Sequence, residues 1–451
     1  MIAQIKRACK SAGIDRYRIY EKSTVSAELF FVKQTLNTSR ICQKCDSVVT
    51  VYREFTNDDG RHCLGSATAN IPAAATDMET VEKLKKAYTA AGYVQNKYYE
   101  LPGPELSNTG DTYGKESEEA SFDGMTPEQA AGCMAAAIFS EKNDNAFVNS
   151  AEVYAIDTYV HIINSEGIDV SYNKQETNGE IAVQSKLKED VEIFREFYYS
   201  GIPAARLRSK VAQLLSMAAD RSVAVPFKYN ENKNGDGIPV IITGEAVGSL
   251  MRYYVDRAWT DYIYPHYSDY EVGKDIQAAG RDGCRDEFDR IDIKLESNVP
   301  YDNDGIYLKN IHLVEDGILK AIHGGPMFSY YMGIKPTGTY ISSGLSAEPG
   351  VYFSMPAGRK CAEELESGRF LKIVSFSDFQ ADSITGEFGG EFRLAYYSDG
   401  EKVVPVTGGT LSGTVNDVCS FFEFSRELQD EFGFRGPSEV RFRKAMVGSK
   451  Q

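Results

Sequence analysis

From Ile238 the chain reads I-P-V-I-I-T-G-E-A-V-G-S-L-M-R-Y-Y-V-D-R-A-W: a β-branched apolar run, one glycine, then apolar residues at helical spacing. The run favours an extended strand, because branching at Cβ stiffens χ1 against a helix and suits a pleated surface. Gly244 marks the turn. Beyond it Ala246, Val247, Leu250, Met251, Tyr254, Val255 and Ala258 predict one buried helical stripe, with Ser249, Arg252 and Asp256 on a more polar side. Glu245 falls in the first turn, where a carboxylate favours the positive end of the helix dipole. By residue type alone this is a helix held for packing.

The chain before it alternates between strand and helix patterns. Ile2 to Ala12 predicts a short helix. Alternating runs at Tyr17–Leu36, Asp46–Phe55 and Arg61–Ile71 predict strands, the last after the turn-forming Asn57-Asp58-Asp59-Gly60. Thr76–Ala91 predicts an amphipathic helix with Met78, Val81, Leu84 and Tyr88 on its apolar side. Leu101–Gly124 is rich in Pro, Gly, Ser, Asn and acids, which predicts a surface loop or linker over about 101–125. Thr126-Pro127-Glu128-Gln129 supplies an N-cap, a Pro at the first helical position and a capping-box Gln, so a helix should run to about Ser140.

A strand series over Glu152–Gln184 turns at Asn164-Ser165-Glu166-Gly167, and helices are expected over roughly Leu187–Tyr199 and Ala204–Ala219. Asn230 to Gly237 is a polar, glycine-punctuated connection, and the domain boundary is expected just before it, near 222. The expected class is α+β. Residues 1–221 would form an N-terminal α+β domain with a mixed or antiparallel sheet, and 222–451 a C-terminal β-rich domain. A length of 451 residues suits this division.

Charge narrows the partners. A net charge of −16 argues against direct binding to nucleic acid or an anionic membrane, since neutralising phosphates needs clustered Lys and Arg. The basic tail stretch with Arg441, Arg443 and Lys444 reads as a solvated strand face. The first residues hold no unbroken apolar signal core, and no run approaches the ~20 apolar residues of a membrane span. The eight cysteines are scattered, which fits reduced thiols in a cytoplasm.

The five histidines (62, 161, 266, 312, 323) are widely dispersed, so no cofactor or metal site can be argued from spacing. Cys42-Gln43-Lys44-Cys45, with His62 and Cys63 further on, has a superficial zinc look but no second C-x-x-C pair. His312 alternates within a strand and reads as a sheet-surface residue. His266 and His323 stand in turn-like contexts, where a pocket role is an open alternative to a structural one.

The Gly244–Ser249 segment resembles a block of the TldD/PmbA family, modulators of DNA gyrase whose active members are peptidases. There the block reads His-Glu-Ala-Val-Gly-His; here Glu245, Ala246, Val247 and Gly248 are kept, while Gly244 and Ser249 stand at the histidine positions. Further blocks follow in the family's order. They are Asn164-Ser165-Glu166-Gly167, Asp302-Asn303-Asp304-Gly305, Glu315 to Lys320, Glu348-Pro349-Gly350, Asp382 to Phe388, and Pro405 to Gly413. Each is weak alone, but their collinearity spans most of the chain.

The resemblance implies a zinc site in the active members, with two histidines, a glutamate base and a third ligand, a cysteine near the C-terminus. The corresponding tail here, Phe432 to Ser438, has no cysteine, and Cys419 does not fit that position. Two histidines five residues apart sit about 140° apart on an ideal helix, so the family's helix must bend there. The degenerate motif at Gly244, Glu245 and Ser249 therefore implies no catalytic residue, metal or cofactor in this chain. It implies a subunit of the TldE/PmbA type, partnering a zinc-bearing TldD-like chain that processes extended peptides. The alternative is a homo-oligomeric peptide- or protein-binding regulator without peptidase activity, and a homodimer is compatible with both.

Overall fold

The structure is a computed structural model that describes residues 1–107, 121–188, 191–229, 237–277, 287–339, 351–431 and 433–449. Most of the expected 101–125 loop, the connection from Asn230, Cys284, Phe432 and the Glu348-Pro349-Gly350 block lie outside those residues.

The N-terminal half comprises α1 (Ile2–Ala12), β1 (Arg16–Val32), β2 (Thr35–Thr56), β3 (His62–Pro72), α2 (Asp77–Ala91) and α3 (Pro127–Ser140). It continues with β4 (Ala146–Asn164), β5 (Asp169–Ser185), β6 (Glu192–Ser200) and α4 (Ala204–Val223). Its strands form one antiparallel sheet in the order β3-β2-β1-β4-β5-β6. Two capping boxes start helices where the sequence predicts: Thr76 with Glu79 on α2, and Thr126 with Gln129 on α3. Ile19 and Ala27 share one face of β1 yet belong to different cores. Ile5 and Leu84, from α1 and α2, pack in the first; Met134 and Leu214, from α3 and α4, pack in the second.

Two local expectations need correction. The stretch expected as a helix over Leu187–Tyr199 is instead strand β6, paired with β5 from Gln184↔Glu192 to Glu176↔Ser200. Val191, Ile193, Phe197 and Tyr199 are buried while Glu192, Phe194 and Glu196 are exposed, a period of two. The free edge of β5 and the aromatic content of the segment favour the strand. On α2 the buried residues are Thr80, Leu84, Ala87 and Ala91, and Met78 is 80% exposed. Met78 lies in the first turn of the helix.

The C-terminal half runs β7 (Val225–Pro226), β8 (Val240–Thr243), α5 (Glu245–Arg257), α6 (Thr260–Ile263), β9 (Ile293–Ser297), β10 (Ile311–Glu315), β11 (Ile318–Leu319) and α7 (Pro326–Tyr331). Then come β12 (Val351–Ser354), α8 (Ala362–Leu365), β13 (Arg369–Ala381), β14 (Glu387–Asp399), β15 (Val403–Thr407), β16 (Gly409–Thr414) and α9 (Val415–Val418). It ends with β17 (Glu423–Phe424), β18 (Leu428–Glu431), β19 (Phe434–Pro437), β20 (Glu439–Phe442) and β21 (Met446–Ser449).

Two sheets organise these strands. One follows the order β11-β10-β9-β12-β19-β18; the other follows β17-β20-β8-β13-β14-β15-β7, with β16 and β21 continuing from β14. Between them lies a large core in which the α5 stripe meets Leu295, Leu313, Ile373 and Phe442. Every residue of the predicted stripe from Ala246 to Ala258 is buried. The class is α+β. Arg441 corrects the reading of the basic tail as solvated: it is buried on β20, beside Glu423, and donates to the Leu365 carbonyl. Arg443 and Lys444 are exposed as expected. Among the described residues no helix is long and apolar enough to cross a membrane.

Candidate functional site: a cleft at the head of helix α5

Strand β8 is central in its sheet and buried from Val240 to Ile242. It delivers the chain to Gly244, whose φ of 63° and ψ of −134° lie in a region that L side chains rarely adopt. The turn is held from the tail: the Gly244 amide donates to the Ser438 carbonyl at 3.0 Å, and the Gln429 amide donates to the Gly244 carbonyl at 2.9 Å. One turn on, a Cβ at Gly248 would lie 3.0 Å from Cβ of Phe434. So the α5 start packs tightly against the Leu428–Ser438 hairpin.

A cleft of about 1300 Å³ opens beside this junction. Its walls come from β6 and α4 of the N-terminal half, and from β13, β14, the α5 start and the β18–β19 hairpin of the C-terminal half. Gly244, Glu245 and Ser249 all line it, as do Arg435 and Ser438 of the tail. The structure thus brings together the three places where the resemblance implies metal ligands: the start of α5, the next turn, and the Phe432–Ser438 tail.

The residues in those places do not suit a divalent metal. Gly244 has no side chain, and a neutral Ser249 hydroxyl is a poor ligand beside imidazole or thiolate. Among the described residues no three His, Cys, Asp or Glu side chains converge in a metal-binding group. Glu245 keeps its carboxylate at the cleft wall, where partial burial raises its pKa while Arg195 and Lys210 oppose that shift.

Elsewhere the cleft is lined by satisfied charge pairs. Lys210 meets Glu431 at 2.8 Å, Arg206 meets Asp430 at 3.0 Å, and Lys372 bridges Glu366 and Glu439 at 2.5 and 2.6 Å. These pairs join α4 to β18, and β13 to β20.

The remaining sequence candidates lie apart from the cleft. His323 is fully buried, its Nε2 bonded to the Val255 carbonyl at 2.9 Å, and burial lowers its pKa to about 4. It braces α5 from below. His312 is exposed on β10, and His266 sits in a turn at φ 65°. His62 and His161 meet Glu54 and Asp169, each at 2.7 Å. The β2–β3 ladder pairs His62 with Thr56 and Pro72 with Asp46, so Cys42 and Cys45 lie at the far end of β2 from His62 and Cys63. That register removes the zinc look of the Cys42–Cys45 segment. Cys419 is buried, its thiol facing the Gln277 carbonyl at 3.8 Å.

Sequence reading missed the contribution of β6 to the cleft, through Phe194, Arg195, Glu196 and Tyr199. The alternation of Val191, Ile193, Phe197 and Tyr199 was the available signal.

None of the curated proteins matches the chain by sequence. Residues 235–449 match the family model of the PmbA/TldA metallopeptidase C-terminal domain. Among solved structures the chain is similar to TldE from Thermococcus kodakarensis, at 15% identity and a TM-score of 0.76, covering 99% of this chain and 100% of that one. It is similar to a candidate modulator of a DNA gyrase from Thermotoga maritima, at 15% identity and a TM-score of 0.72, covering 99% and 100%. A candidate modulator of DNA gyrase from Bacteroides thetaiotaomicron gives 12% identity and a TM-score of 0.75, covering 100% and 99%. Residues 235–449 thus carry a match to the PmbA/TldA metallopeptidase C-terminal domain, and the chain shares the fold of TldE over its whole length.

Proposed function

We propose that this chain is a TldE/PmbA-type non-catalytic subunit, acting in the cytoplasm with a zinc-bearing TldD-like partner that degrades or processes extended peptides. The observation that supports this reading is the convergence of Gly244, Ser249 and the Ser438 tail on one cleft wall, with no metal-binding side chain at any of the three. The cleft is lined in part by the edge strands β6 and β18 and by paired charges, a surface that suits an extended chain. Zinc and the activated water would belong to the partner. The test is co-expression with a TldD-like chain bearing an intact H-E-x-x-x-H. The purified pair should cleave unstructured peptides and this chain alone should not. Cleavage by the isolated chain, abolished by a chelator, would overturn the proposal.

The second reading is a homo-oligomeric, peptide-binding regulator. One observation favours it: β2 pairs with β3 only from Asp46 onward, so the outer edge from Thr35 to Cys45 is unpaired among the described residues, and Leu36 and Ile41 are exposed there. A stable homo-oligomer that ignores a co-expressed TldD-like chain, measured by light scattering, selects this reading.

A further inference from the structure

The same cleft carries a feature unrelated to the vacated ligand positions. Arg195 of β6 and Arg393 of β14 both line it, and their charges oppose each other. Arg221, in the last turn of α4, is also close enough to Arg393 to feel its charge. Guanidiniums gathered in this way raise one another's energy, and most so where solvent is partly excluded.

In a chain of net charge −16 such a group would ordinarily be neutralised from within. Other cations of the cleft are, as the Lys210–Glu431 and Lys372–Glu439 pairs show. Among the described residues, however, no carboxylate is in ion-pair contact with Arg195, Arg221 or Arg393. Glu245 and Glu431 are the carboxylates whose fields reach Arg195. Arg195 spends its donors on structure, reaching the Phe194 carbonyl at 2.8 Å and Ser375 Oγ at 3.0 Å. Arg221 donates to the Glu192 carbonyl. Arg393 is exposed and uses only Nε, toward Ser377 Oγ at 3.0 Å. Its two Nη groups have no acceptor among the described residues. Phe194, which is 45% exposed, and the paired rings of Phe376 and Phe379 line the same cleft.

We infer that Arg393, reinforced by Arg195, receives a carboxylate of a peptide lying in the cleft, beside an apolar residue that packs among Phe194, Phe376 and Phe379. The inference rests on reading the cleft as a peptide path. The planar fork of Arg393 matches a carboxylate in bidentate fashion, and its free Nη pair is the half of the guanidinium that such contact uses. The carboxylate comes from the peptide's C-terminus or from an acidic side chain.

Fluorescence anisotropy on the full chain tests this with three labelled peptides sharing an apolar core. The first is acidic with a free C-terminus, the second is the same peptide amidated, and the third is amidated with Gln in place of its acids. The first should bind at least about fivefold more tightly than the third at low salt. Arg393→Gln should bring it to the level of the third, whose own binding stays unchanged. The second peptide tells the two sources of carboxylate apart. Equal binding of all three to the unaltered chain, or equal weakening of all three by Arg393→Gln, overturns the inference and leaves the peptide path standing. Binding of none of them, with or without the co-expressed partner, overturns both.

Discussion

The Gly244 amide donates to the Ser438 carbonyl at 3.0 Å, tying the head of α5 to the tail segment that runs beside it. Two positions 194 residues apart in sequence thereby share one cleft wall.

The backbone at Gly244 predicts that the metal site cannot be restored by side chains alone. A Cβ there meets nothing within 4 Å, so the obstacle is the φ of 63° with ψ of −134°. Gly244→Ala should cost about 1–3 kcal/mol in chemical denaturation. The double variant Gly244→His, Ser249→His should retain far less than one equivalent of zinc after dialysis, measured by elemental analysis.

His323 should make stability fall on acidification. Its folded pKa is lowered to about 4 from 6.5, so the folded state binds the proton less readily than the unfolded chain. Its stabilising contribution is full above the unfolded value and is lost as pH falls from 6.5 toward 4. The loss approaches roughly 3 kcal/mol. His323→Gln cannot take up that proton, so its urea midpoint should vary less over this window than that of the unaltered chain. An equal slope in both would reject the assignment.

Arg18 on β1 and Asp304 form an ion pair linking the first sheet to the Asp302–Gly305 turn of the other half. Arg18 also donates to Thr50 Oγ1 at 3.0 Å, and Ser107 Oγ donates to the Gly305 carbonyl at 2.7 Å beside them. Both charges are largely shielded, so Asp304→Asn should cost about 2 kcal/mol by leaving a half-buried cation unpaired. Adding Arg18→Met should recover part of that loss, a non-additivity that a double-mutant cycle reads directly.

We propose two domains, 1–221 and 222–451. Brief trypsin treatment should then cut first at Lys228 or Lys233, in the connection beyond α4. Early cleavage elsewhere, with that connection intact, would count against the division.

Much of the fold was legible because local rules and tertiary packing agreed. The Thr76 and Thr126 capping boxes satisfy helix N–H groups within four residues of sequence, and both helices begin there. The apolar stripe of α5 is buried throughout because its period matched a helix that a core then covered. Strand β6 departs from the expected helix because the β5 edge that pairs with it lies outside the segment itself.

The candidate site divides in the same way. Residue types alone determined that Gly244 and Ser249 cannot serve as imidazole ligands and that the tail from Phe432 to Ser438 has no thiol, since ligand chemistry belongs to the side chain itself. Only the tertiary structure decided that these positions meet at one cleft, that Arg195 and Arg393 share it, and that Cys42 and His62 stay apart. Those outcomes depend on strand order, register and the packing of α4 and β6 against the second half. No short stretch of sequence encodes them, because each arises from contacts between residues far apart in the chain.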